Sequence, residues 1–156
     1  MTATARKVLA DLEVSYELLE AEENVDKFRI LWVASVSLAR TVGHVLDKVD
    51  KNESPKLSSA ISSTYQSWKQ NPKKNEIFFQ FIENERNSIL KEYEFGFLSG
   101  PTDVAALPTG EIFKLDDNLF CPMSSGKYEG EDCRDILKSS ITWWKQQLNA
   151  IESSVI

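Results

Sequence analysis

The stretch DKFRILWVASVSLARTVGHVLDKVDK, Asp26 to Lys51, decides the fold class. Its apolar residues Phe28, Leu31, Trp32, Leu38, Ala39, Val42, Val45, Leu46 and Val49 recur at threes and fours, with Ser35 on the same face. That is the period of an α-helix, not the alternation of a strand. Asp26 can cap such a helix, and its wide apolar face marks it as the central helix of a core.

Working outward, the same spacing continues on both sides. Val8, Leu9, Leu12, Tyr16 and Leu19 predict an amphipathic helix from Thr4 to about Glu23, with Asn24 as its stop. Ser54-Pro55 and Asn71-Pro72 each put a capping side chain before a proline, which is tolerated at the first helical position because its missing N–H has no partner there anyway. They predict a short helix from Pro55 to Lys69, through Leu57, Ile61, Tyr65 and Trp68, and a long one from Pro72 to Tyr93. The rhythm then breaks at Phe95-Gly96-Phe97, Ser99-Gly100-Pro101 and Leu107-Pro108-Thr109-Gly110. Glu111 to Leu115 and Asn118 to Met123 read as two strands of a β-hairpin joined at Asp116-Asp117. Asp132, followed by Asp135, opens a last helix whose face is Ile136, Leu137, Ser140, Ile141, Trp144, Leu148 and Ile151. The expected fold is mostly α: a bundle of four principal helices and one short one, with a hairpin excursion at about 95–131 before the last helix.

The chain of 156 residues is read as one domain, and its 42% hydrophobic and 27% charged content as that of a globular protein. No run approaches the ~20 apolar residues of a membrane span. The polar start from Met1 to Asp11 lacks a signal peptide's apolar core, so no membrane partner and a cytoplasmic location are expected. A net charge of -6 is the wrong sign for holding duplex DNA, although a local pair of arginines can still bind a phosphate. Cys121 and Cys133 are the only cysteines and His44 the only histidine, which leaves zinc without four ligands. No metal or cofactor is expected, and the two thiols are read as unpaired.

The candidate site lies on the aromatic-rich segment Asn75 to Tyr93, which carries Glu85, Arg86, Asn87 and Lys91 beside Phe78, Phe81, Ile82, Ile89 and Leu90. Glu83, Asn87 and Lys91 follow one another at intervals of four along one helical stripe, with Arg86 one step round it. Arg86, Asn87 and Lys91 can therefore converge on a small anion. Equally, Glu83 to Lys91 can be an exposed ladder of weak ion pairs. Arg40 interrupts the central helix and can face Glu83 or Glu85 across the bundle, either as a structural salt bridge or as a second phosphate-holding arginine. His44, four residues after Arg40, is a further site candidate or a half-buried packing residue. Trp143-Trp144 reads as one core and one rim aromatic, and a dimer surface would follow if Trp143 were exposed. Ser124-Ser125-Gly126-Lys127 lacks the pattern of a phosphate loop, and Asp116-Asp117-Asn118 that of a calcium loop.

The run from Phe28 to Val42, followed downstream by Phe78 to Asn87, resembles the HEPN superfamily (higher eukaryotes and prokaryotes nucleotide-binding), and most of all bacterial members with an Ala-Ala-Arg-Ser/Thr-Val helix and an aromatic run ending in Arg-Asn. The resemblance spans Thr4 to Tyr93 and the last helix. It implies a helical bundle that dimerises and sets two Arg-x(4–6)-His motifs face to face, as in metal-independent ribonucleases whose histidine moves protons while the arginine holds phosphate. Arg86 and Asn87 match the first half of that motif. Lys91 stands where the histidine is expected, and lysine is a poor base at neutral pH.

Two functions follow from this. One is a noncatalytic HEPN-like homodimer that binds a protein, nucleotide or RNA partner in a defence or toxin–antitoxin-like system. The other is a metal-independent ribonuclease with a composite Arg86, Asn87 and Lys91 site at the dimer interface. Both place the Pro72 to Tyr93 helices near the twofold axis.

Overall fold

The computed structural model describes residues 1–99, 102–115 and 119–156. The fold is mostly α, a helical bundle with a small β excursion before the last helix. Helix α1 (Ala3–Ala21) and helix α2 (Val25–Lys48) are joined by three residues and form the most extensive helix pair. Asn24, the expected stop of α1, is also the cap of α2: its side chain accepts from the Lys27 N–H at 3.0 Å. Asp26, expected to cap, lies instead in the first turn of α2 and pairs with Arg29 at 3.1 Å.

A 3-10 turn (Asp50–Asn52) follows α2, and its buried Asp50 accepts from the backbone N–H groups of Thr4 and Ala5 at 3.0 and 2.9 Å. The end of α2 thus satisfies the start of α1, where orphan amides and the helix dipole favour a carboxylate. Helix α3 (Pro55–Gln70) begins as expected, with Ser54 accepting from the Leu57 N–H and Pro55 in the first turn.

The next helix departs from the expectation. Residues 72–75 form turns, Ile77–Glu83 is a π-helical segment, and only Asn84–Glu92 is regular helix (α4). Asn71 does not cap a Pro72 start because its amide donates back to the Ser67 carbonyl at 3.1 Å, closing α3. Asn75 takes over as a tether: it accepts from the Trp143 indole N–H at 3.2 Å and donates to the Asn71 carbonyl at 3.0 Å. The wide π turns keep Ile77, Phe78, Phe81 and Ile82 all buried, and Glu85 continues that buried face. Tyr93 ends α4 in the left-handed region, φ 52°.

The hairpin exists with a different partner. Strand β1 (Thr102–Ala105) pairs antiparallel with β2 (Ile112–Leu115) in the register Ala105 opposite Ile112. The turn chemistry at Leu107 to Gly110 makes the hairpin: Gly110 sits at φ 72°, and the Ala106 N–H donates to the Glu111 carbonyl at 2.7 Å. The expected second strand from Asn118 to Met123 does not form. Pro122 and Met123 make single bridges to Asp132 and Phe97, and the Asp116-Asp117 turn and Asn118 lie outside the described residues.

Helix α5 (Cys133–Ser153) is capped by Asp132, as expected, which accepts from the Arg134 and Cys121 N–H groups at 2.9 Å each and ion-pairs with Arg134 at 2.8 Å. Both tryptophans are core residues, correcting the expectation of one at the rim: Trp143 is 7% exposed and Trp144 is fully buried. Trp68, Phe78, Trp143 and Trp144 form one aromatic cluster, with ring centroids 4.7 to 6.0 Å apart. Cys121 and Cys133 are buried and form no disulfide; burial, with a thiol–thiol hydrogen bond, pushes the Cys133 thiol far up and keeps it protonated. Among the described residues, no helix is long and apolar enough to cross a membrane.

Candidate functional site

The site grows from the junction of α2 with the π segment. Trp144 lies against α2, donating its indole N–H to the Ala39 carbonyl at 2.8 Å, and this close approach needs Gly43. A Cβ there would meet both Trp144 and the Arg40 guanidinium at 3.1 Å. Arg40 stands beside this contact with its guanidinium over the Phe78 ring, 5.3 Å from the centroid. A cation over an aromatic face is held by the ring quadrupole, which suits a half-buried arginine. The Arg40 guanidinium has no ion pair or hydrogen bond among the described residues. Burial, reinforced by nearby Arg86, lowers its affinity for its proton, while Glu83 and Tyr65 oppose that shift.

His44 lies one turn further along α2 and is exposed rather than half-buried. Its pKa falls below the ordinary histidine value, first through desolvation and then through Arg40, Arg86 and Lys48. Asp47 is the opposing charge, but it is held by Lys48 at 2.9 Å and Lys51 at 3.0 Å. Arg86 donates to the Asn87 Oδ1 at 3.1 Å and makes no ion pair among the described residues. Three groups that the sequence separates by up to 46 positions, Arg40, His44 and Arg86, therefore share one electrostatic neighbourhood, with Glu83 beside Arg40.

Lys91 is exposed in the last turn of α4 and is not among the charges that act on Arg40 or His44. There it faces the negative end of the helix dipole. Glu85 is withdrawn from the cations altogether. Only 5% exposed, it accepts from the Trp32 indole N–H at 3.2 Å and the Gly96 N–H at 2.8 Å. Burial raises its pKa, and the two hydrogen bonds oppose that rise. No ladder of ion pairs runs from Glu83 to Lys91 among the described residues.

Arg40 and His44 also border a cleft of about 330 Å³ between α2 and α3, whose other walls include Gly43, Tyr65, Trp68 and Phe78. In the sequence Tyr65 and Phe78 read only as packing residues of their helices, and Gly43 carries no signal there. The one available signal was that Arg40 and His44 share a helical face. Among the described residues no group of three or more His, Cys, Asp or Glu side chains is placed to hold a metal ion.

Cations in one electrostatic neighbourhood weaken each other's charged form, a penalty that Glu83 offsets in part at Arg40, and an anion between them removes it. The arrangement is thus suited to an anionic oxygen group, held by guanidiniums whose planar donors match phosphate geometry. Neither a protein-family model, a curated protein nor a solved structure matches the chain.

Proposed function

We propose that the chain is a HEPN-like, noncatalytic homodimerising module of the cytoplasm that binds the phosphate of a nucleotide or RNA partner through Arg40, His44 and Arg86, in a defence or toxin–antitoxin-like setting. The convergence of these three groups without a paired carboxylate carries the reading. Glu83 near Arg40 and Asp47 near His44 are the opposing charges, and Asn87 steadies Arg86. Dimerisation is supported by exposed apolar side chains on the same helix as Arg86, with Leu90 at 61% and Tyr93, its cap, at 58% exposure. The test is binding of a single-stranded RNA oligonucleotide in EDTA, paired with sedimentation of the protein at micromolar concentration. Arg40→Ala with Arg86→Ala should weaken binding by one to two orders of magnitude, and the protein should sediment as a dimer. Undiminished binding by the double variant would overturn the phosphate site, and a strict monomer would remove the dimer.

A second reading, metal-independent RNA cleavage, is favoured by one observation. His44, the only histidine, has its pKa lowered first by desolvation and then by Arg40 and Arg86, which favours the neutral imidazole. A neutral imidazole can take the proton of a 2′-hydroxyl while guanidiniums hold the phosphoryl oxygens. This chemistry would rest on His44 rather than on the Lys91 position. RNA cleavage in EDTA that disappears in both His44→Ala and Arg86→Ala would establish it; an intact RNA pool after prolonged incubation would leave the binding module.

A further inference from the structure

We propose that Cys121 and Cys133 are a paired dithiol that a small-molecule disulfide oxidises to an intramolecular disulfide, and that closure locks the segment covering Glu85 to the start of α5. This device is separate from the cation cluster and does not depend on a phosphate there.

The backbone sets the two cysteines opposite each other. Pro122 and Asp132 form an antiparallel bridge. The hydrogen bonds that flank it run from the Cys133 N–H to the Cys121 carbonyl at 2.9 Å and from the Met123 N–H to the Glu131 carbonyl at 2.8 Å. One step outward from that bridge, Cys121 faces Cys133. Opposite residues in such a pairing have Cα atoms about 4.5–5.5 Å apart, inside the window of about 4.4–6.8 Å that a disulfide spans. Both residues are fully buried, and their thiols are already hydrogen-bonded to each other.

Residues 121–124 are the middle of a small ladder. On one side they hold 131–133 and with them the start of α5. On the other, the Leu98 N–H donates to the Pro122 carbonyl and the Ser124 N–H to the Gly96 carbonyl, each at 2.8 Å. Gly96 in turn donates its N–H to Glu85. A covalent bond between the cysteines therefore fixes the strand on which the cover of Glu85 depends. It closes a loop of thirteen residues, 121–133. For a loop of that size, the entropy removed from the unfolded chain favours the folded form by a factor of about a hundred.

In the closed fold the pair reacts slowly, because burial holds the Cys133 thiol protonated and the thiolate is the nucleophile. Oxidation passes through opening of the 121–124 segment. One cysteine thiolate attacks a sulfur of glutathione disulfide, whose S–S bond breaks and releases a glutathione thiolate. The second cysteine thiolate attacks the mixed disulfide and releases the other glutathione. Two protein thiols are oxidised, one glutathione disulfide is reduced to two thiols, and two protons pass from the cysteines to glutathione. A fully buried site has no room for a glutathione adduct, so the mixed disulfide resolves to the protein disulfide.

The test equilibrates the full chain with reduced and oxidised glutathione, both in native buffer and in urea strong enough to unfold it. Acid quenching, alkylation of the unfolded chain and intact mass then count the thiols. In native buffer the main oxidised species should be a monomer lacking two hydrogens, with an equilibrium constant at least tenfold above that in urea. Hydrogen exchange at the Gly96 and Leu98 amides should be several-fold slower in the oxidised protein. Cys121→Ala, shown by circular dichroism to be folded, should lose that response to glutathione. A native constant equal to or below the urea value overturns the pairing, as does a native product made mainly of glutathione adducts or disulfide-linked dimers. Oxidation that leaves both amides unchanged overturns the lock, and so does a response that persists in Cys121→Ala.

Discussion

Glu85 and Arg86 are adjacent in the chain and opposite in their chemistry. The carboxylate is buried, and both its hydrogen bonds run to fixed donors, the Trp32 indole and the Gly96 backbone. The guanidinium is half-buried, has Asn87 as its one hydrogen-bond partner among the described residues, and shares its field with Arg40 and His44. A polar group with its partners supplied by the fold is scaffold; a cluster of like charges with no ion pair among the described residues, offset only by Glu83 near Arg40 and by the lysine-held Asp47 near His44, is a place for a ligand. The contrast extends to the chain's other end. There, Glu152 accepts from Arg6 and Thr2, which holds its pKa at about 2. It gives stability above the ordinary carboxylate range that is lost as pH falls toward that value.

The sharpest way to break the comparison is Glu85→Ala. It strands the Trp32 and Gly96 donors in the core, at about 1–3 kcal/mol for each unsatisfied group. Unfolding in urea should show a loss of about 3 kcal/mol with RNA affinity changed far less in the molecules that remain folded. Arg86→Ala should do the reverse. It should lower RNA affinity by about tenfold, flatten the salt dependence by roughly 0.7 in log–log slope, and shift stability by less than about 0.5 kcal/mol. Gly96→Ala attacks the scaffold from the other side, because a Cβ there would sit 2.3 Å from Glu85 Oε2. A destabilisation of about 1–3 kcal/mol is expected, measurable as a lower urea midpoint.

The smallest effect concerns pH. Glu85 has a raised pKa in the folded state, so its contribution to stability is greatest below the ordinary carboxylate pKa and is lost as pH rises through the raised value. Glu85→Gln should remove that part of the slope of unfolding free energy above the ordinary carboxylate pKa. An unchanged slope would mean that Glu85 is not the group responsible.

The two regions were not equally legible in the sequence. Helices α1, α2, α3 and α5 followed from hydrophobic period and caps because each buries one face, and Asp132 and Ser54 mark two of the starts; the cap of α2 is Asn24 instead of the expected Asp26. The π segment was hidden because Ile77, Phe78, Phe81 and Ile82 suit either helix pitch. What separates them is the Asn75 tether to Trp143, a contact between residues 68 positions apart. The hairpin partner was misplaced because β-propensity alone cannot choose between Thr102–Ala105 and the segment from Asn118 to Met123. The Pro108-to-Gly110 turn makes that choice. At the site, Arg40, His44, Glu83, Arg86 and Asn87 were all visible as candidates. Whether the arginines were paired was not, since Glu85's withdrawal depends on Gly96 folding back over it.

His44 is the chain's single histidine, so its imidazole resonances report on the cluster without ambiguity. The most direct measurement is an NMR pH titration of His44 with and without a short single-stranded RNA, whose phosphodiester charge is constant over the range. Without RNA the pKa should lie below the ordinary 6.5, and bound phosphate should raise it, so that RNA affinity increases as pH falls through the bound value. A His44 pKa that RNA leaves unmoved would contradict the phosphate site.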